Sequence, residues 1–138
     1  MPSSEQHDFQ AKHNQELLDF LESSNKRDGF RDWYVTIAFY TAVHHFEAIL
    51  HTVSPAVNKG RSRLSVPLDV DYYDHDKRLT IMRDEVFREI YRPYLALYSF
   101  SRLAKYNCHE TTMYIRLQVE KKLMTVATEC LKIKKKYA

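Results

Sequence analysis

Arg102-Leu-Ala-Lys-Tyr-Asn-Cys-His109 is the one stretch of this chain in which a histidine follows an arginine with four to six residues between them. A histidine beside a fixed guanidinium can take the proton of a ribose 2′-hydroxyl while the arginine neutralises the phosphorane, which is metal-independent RNA cleavage. The same two groups can also grip a phosphate without cutting. A second set, His44, Glu47 and His51, falls at i, i+3 and i+7 of a helix, with His75 available as a fourth. That spacing suits metal ligands in a bundle, but the facing helices offer Asp76, Asp84 and Glu85 and no Glu-x-x-His, so no metal and no cofactor is expected. A third arrangement brings His44 and Glu47 against His75 and Arg78 and against Tyr98 and Arg102, with Tyr106 further along the same helix. Guanidinium, imidazole and phenol groups together would hold a phosphate and stack a base. The plain alternative is a hydrogen-bonded core histidine within a buried polar network that fixes the register of the bundle.

These groups must be positioned by helices. Asp32 to Thr52 has no Gly or Pro, and at a hundred degrees per residue Val35, Phe39, Ala42, Phe46, Ile49 and Leu50 share one side. Trp33, Ile37, Tyr40, His44, Glu47 and His51 share the other, so this helix is expected to be central and packed all round. A first helix is expected from Ser4 to Glu22 behind a Ser3-Ser4 cap, with Phe9, His13, Leu17, Phe20 and Leu21 as its apolar stripe. Val53 to Tyr73, with Pro55, Gly60, Pro67 and the Lys59, Arg61, Arg63 cluster, reads as a long exposed basic loop. Asp74 caps a third helix whose stripe is Leu79, Met82, Val86, Phe87 and Ile90, and Pro93 starts a fourth that runs to about Tyr106. On that helix Leu97, Phe100, Leu103 and Ala104 are expected to face the core, and Tyr94, Tyr98, Arg102 and Lys105 another side. The last helix follows Thr111 or Thr112 with Ile115, Val119, Leu123, Val126, Cys130 and Ile133 at helical period. The sum is an all-α, antiparallel up-and-down bundle of four to five helices in one domain spanning residues 1–138.

Composition sets the outer limits. Two glycines and four prolines, with 44% hydrophobic and 28% charged residues, fit a folded helical domain large enough to bury its own core. Cys108 and Cys130 stand in no metal-type spacing, and no apolar run reaches the length of a membrane span. A cytoplasmic protein with free thiols and no membrane contact is the expectation. A net charge of +3 permits nucleic-acid binding without demanding it.

Four motifs in order carry a likeness to a known family. Asp32-Trp33 heads the long helix, Phe39-Tyr40-x-x-x-His44 lies inside it, His75-x-x-Arg78 opens the third, and Tyr94-x-x-x-Tyr98-x-x-Ser101-Arg102-x-Ala104-x-Tyr106 fills the fourth. Over roughly residues 8 to 130 the chain resembles the HEPN superfamily of small helical domains. The resemblance implies a homodimeric bundle that binds RNA or a nucleotide, in some members beside a nucleotidyltransferase partner. In its ribonuclease and toxin-like members it implies an R-x(4-6)-H motif, here Arg102 and His109. Leu103 stands where family nucleases carry a polar residue, and His109 falls in a connection. Binding is therefore the leading expectation, with an endoribonuclease and a ligand-free dimerisation or docking protein as alternatives.

Overall fold

The computed structural model describes residues 3–60 and 74–137. Five α-helices run in the order α1 (Ser4–Ser23), α2 (Arg31–Gly60), α3 (His75–Met82), α4 (Arg88–Tyr106) and α5 (Met113–Tyr137), with single 3-10 turns before α2, α4 and α5. They form the antiparallel up-and-down bundle expected, with no strand among the described residues. α2 packs against α1, α4 and α5 and is the central member. It is parallel to α5. At one end Arg31 Nε donates to the Thr111 carbonyl at 3.0 Å and Arg116 lies over the Tyr34 ring; at the other, Ala48, Ile49 and Thr52 line a groove with Ala127, Cys130 and Leu131.

The core follows the stripe of α2. Val35, Phe39, Ala42, Phe46, Ile49 and Leu50 are all buried, as are Val119, Leu123, Val126, Cys130 and Ile133 of α5. Each large apolar side chain so buried contributes about 1.5–3 kcal/mol relative to solvent exposure. Burial also pushes the Cys130 thiol up, away from reactivity, and both cysteines are free. No helix among the described residues is long and apolar enough to cross a membrane.

Three expectations need correction. α2 does not stop at Thr52 but continues through Pro55 to Gly60, so the segment 53–60 is helical and not loop. One proline inside a long helix removes a single backbone bond, a cost that the packed turns before it absorb. The rest of the expected loop, with Arg61 and Arg63, lies outside the described residues. The third helix ends at Met82, and the break falls at Arg83-Asp84, where Asp84 accepts from the Val86 amide and its own amide donates to Ile81. Pro93 sits inside α4, which begins at Arg88.

The third correction concerns α1, which buries His7, Ala11 and Leu18. Of the expected core stripe, Phe9, His13, Leu17 and Phe20 are exposed, with Phe9 at 69%, while Leu21 packs against the core. What turns the helix is its start. Ser3 and Gln6 form a reciprocal capping box, and Ser4 Oγ donates to the Ala48 carbonyl at 2.7 Å and contacts the Thr52 hydroxyl. That anchor sets α1 against the C-terminal half of α2. One turn later the chain delivers His7 to the polar side of α2.

Candidate functional site

The polar side of α2 carries His44, Glu47 and His51 on successive turns, and three other helices converge on it. From α1 comes His7, whose Nδ1 lies 3.0 Å from His44 Nδ1. Its ring lies 5.6 Å from that of His51, almost parallel at 4°. From α3 comes Arg78, one turn inside a helix started by Asp74, which accepts from the Lys77 amide at 2.8 Å. Arg78 Nε donates to Glu47 Oε1 at 2.6 Å, and its Nη1 lies 3.3 Å from His75 Nδ1. From α4 come Tyr94 and Tyr98.

The cluster has an inner and an outer layer. Inside, Glu47 is only 2% exposed, and its two oxygens are divided: Oε1 faces Arg78, and Oε2 lies 3.4 Å from His51 Nε2 without a hydrogen bond. His7 is 7% exposed, and its Nε2 has no hydrogen-bond partner among the described residues. His7, Glu47 and His51 each present one donor atom, and all three atoms lie within 4.8 Å of one another. Tyr94 is wholly buried between Phe39 and Phe46, so it belongs to the core and not, as expected, to another side; it still shares with Tyr98 a contact to Phe39. Burial pushes its phenol well up. Its hydroxyl is near enough to feel the Arg78 charge but makes no hydrogen bond of ordinary geometry.

Outside, Phe39, His75 and Tyr98 form a triangle of rings, with centroids 5.4, 5.5 and 5.1 Å apart. Arg102, exposed one turn beyond Tyr98, holds its guanidinium carbon 5.8 Å from the Tyr98 centroid. Lys105 Nζ lies 5.6 Å from the centroid of Tyr106, which is 68% exposed. The outer face of α4 thus reads Tyr98, Arg102, Lys105, Tyr106, each cation set against a ring. Exposed Tyr40 packs on Phe39 at 5.5 Å.

Of the residues singled out from the sequence, Glu47, His75, Arg78 and Tyr98 are brought together directly, and His44 joins them through His7. Arg102 borders the cluster. Tyr106 stands two turns away from Tyr98 with its own lysine. His109 lies in the 3-10 turn Cys108–Glu110, exposed, 4.0 Å from Glu110, and no hydrogen bond joins it to Arg102 among the described residues. Two charged or titratable groups were missed. His7 was hidden because its helix buries a face of small and polar residues, though 7, 11, 18 and 21 do keep a helical period that could have revealed it. Arg116 is 2% exposed and pairs with Glu22, its Nη2 3.4 Å from Glu22 Oε1, with its guanidinium carbon 5.1 Å from the Tyr34 centroid. Nothing in the run Ile115-Arg116-Leu117 distinguishes that arginine from a solvated one.

The electrostatics of the cluster favour the neutral imidazole at His7, His44 and His75. Burial, then the neighbouring His44 and His51 and the charge of Arg78, holds His7 down at about 4. Burial and Arg78 lower His44 and His75 as well. For Arg78, burial works against the charge, but the Glu47 hydrogen bond and the neighbouring Tyr94 and Glu47 groups outweigh it and leave it raised.

A pH dependence of stability follows. Above pH 6.5 His7 is neutral both folded and unfolded and contributes nothing; as the pH falls toward 4 only the unfolded chain takes the proton, so stability declines. Below that point both states are protonated and this loss levels off. His7 alone accounts for roughly 3 kcal/mol, and His44 and His75 act in the same direction. Denaturation midpoints measured across this window should fall with acid, and fall less in His7→Gln. Identical acid profiles for the two proteins would show that His7 does not hold back its proton.

Family models, the curated proteins and the solved structures offer no match to this chain.

Proposed function

We propose that this chain is a HEPN-like module that binds single-stranded RNA or a nucleotide on the outer layer of the cluster, with Tyr98 and His75 as stacking surfaces and Arg102 and Lys105 as phosphate contacts. The observation that carries this reading is the stripe on α4, in which Arg102 lies over the half-buried Tyr98 and Lys105 over Tyr106 at cation–π distance, with Arg102, Lys105 and Tyr106 exposed. Single-stranded nucleic acid is held in this way by proteins that combine a basic track with rings on which successive bases stack. The inner Glu47–Arg78 pair supports the reading as a rigid base. It fixes α3, and with it His75, while its own charge is already neutralised. The exposed strip Phe9, Leu17 and Phe20 supports the homodimer that the family resemblance implies.

The test is fluorescence anisotropy with a labelled single-stranded RNA over a series of salt concentrations. Wild-type affinity should fall with salt, and Arg102→Gln should lower the slope of log K against log salt by about 0.7. Tyr98→Ala should weaken binding by roughly 5- to 100-fold, the loss of one stacked base. Arg102 is exposed, so its variant folds and remains a fair probe even if Tyr98→Ala loosens the ring triangle. Absent binding, or binding indifferent to salt, would remove the module. The same RNA, incubated in chelator with wild type, Arg102→Ala and His109→Ala, reads the endoribonuclease alternative: cleavage lost in both variants would replace binding by catalysis as the function.

A further inference from the structure

The inner layer suggests a chemistry that the outer layer does not use. We infer that His7 of α1 and Glu47 and His51 of α2 form a site for one divalent transition-metal ion, with a coordination position left open. The three donor atoms already lie within 4.8 Å of one another, and Glu47 Oε2 and His51 Nε2 are 3.4 Å apart. Two ligands on a tetrahedral ion with bonds of about 2.1 Å are separated by about 3.4 Å, so one edge of the polyhedron is in place and the others need only side-chain torsion.

Two of the donors are buried and unsatisfied, the condition that most needs explaining in a folded core. His7 Nε2 and Glu47 Oε2 are both shut from solvent without a hydrogen bond. Buried polar atoms of this kind are destabilising unless a ligand, an ion or a water completes them.

The surroundings are those that metal-binding histidines use. His7 Nδ1 is engaged by His44 Nδ1 at 3.0 Å, and in the tautomer in which His7 Nδ1 donates to His44, Nε2 keeps its lone pair for an ion. Arg78 takes Oε1 of Glu47 and leaves Oε2 as a single-oxygen ligand. Two imidazoles with one carboxylate suit zinc, cobalt, nickel or ferrous iron over magnesium or calcium, which prefer oxygen. The expectation of no metal rested on the lack of a matching ligand on a facing helix, and α1 supplies one that no Glu-x-x-His search would find.

The site is independent of the RNA-binding reading, since neither Tyr98 nor Arg102 takes part. The test uses the full chain, stripped with chelator and then freed of it, titrated with Co²⁺ alone by calorimetry and visible absorption. One ion per chain should bind, with the intense d–d bands of a four- or five-coordinate site. His7→Gln should weaken binding at least 100-fold and His44→Gln about 10-fold, the latter by loosening the His7 ring. His13→Gln, which changes an exposed histidine of the same helix, should leave affinity unchanged. Circular dichroism checks the fold of each variant, and His51→Gln is the second ligand probe should His7→Gln unfold. No saturable binding by wild type at millimolar cobalt, or equal affinity in wild type and the folded ligand variants, overturns the site.

Discussion

Replacing Glu47 by glutamine is expected to destabilise the protein by about 3–5 kcal/mol, a large part of what a domain of this size has in reserve. The carboxylate is the hydrogen-bonded counter-charge of Arg78, and both side chains are withdrawn from water, at 3% and 14% exposure. Glutamine keeps the volume and one acceptor but removes the charge, so the guanidinium is left buried and uncompensated. The cost therefore comes from the partner that remains, not from the group that is lost. Replacing both residues together, Glu47→Leu with Arg78→Met, should recover most of the loss because no stranded charge is left. Urea midpoints with an unchanged slope measure both effects. A loss below about 1 kcal/mol in the single variant would mean that water reaches Arg78 and that the pair behaves like one on the surface.

A comparable loss, about 3–5 kcal/mol, is expected for Phe46→Ala. The Phe46 ring is completely buried on the core side of α2, edge-on to Phe87 at 5.4 Å and 6.2 Å from Tyr94. Its removal leaves a cavity bounded by α2 and α4, which are held at other points and cannot close on it. Phe9→Ala, the same chemical change on α1, should alter the stability of the single chain by no more than about 0.5 kcal/mol, because within it the ring already faces water. The contrast sets a core ring of α2 against a solvent-facing ring of α1. Equal losses at the two positions would mean that α1 packs in the orientation its hydrophobic pattern suggested and not in the one described.

The sequence made α2 readable because its core side is continuous and strongly apolar, and the burial of Val35, Phe39, Ala42, Phe46, Ile49 and Leu50 agrees residue by residue. It also grouped His44, Glu47 and His51 on one side, since that follows from helical geometry alone. α1 was misread for an energetic reason. Its orientation is set by hydrogen bonds from Ser4 to Ala48, forty-four residues away, and a local pattern carries no record of such a partner. The same limit hid Arg116, whose role depends on Glu22 and Tyr34. At Asp84 the signal was local but subtle: a single side chain accepting from the amide two residues on ends one helix and begins the next, while the more conspicuous Pro93 is tolerated inside a helix. Pattern reading succeeds where burial decides and fails where one long-range polar contact does.

The arginine–carboxylate pairs that join α2 to α3 and α1 to α5 also impose an order in time. Glu47 and Arg78 are thirty-one residues apart, whereas Glu22 and Arg116 are separated by ninety-four. Closing the longer loop costs only about 1 kcal/mol more in chain entropy, so at equilibrium the difference is slight. During synthesis it is decisive. A nascent chain that has emerged through α4 can join α1 to α2 and seat Arg78, but the Tyr34 ring still lacks the Arg116 guanidinium that lies over it. Until residue 116 leaves the ribosome the domain is half-closed, and that interval is when a chaperone or a protease would find it.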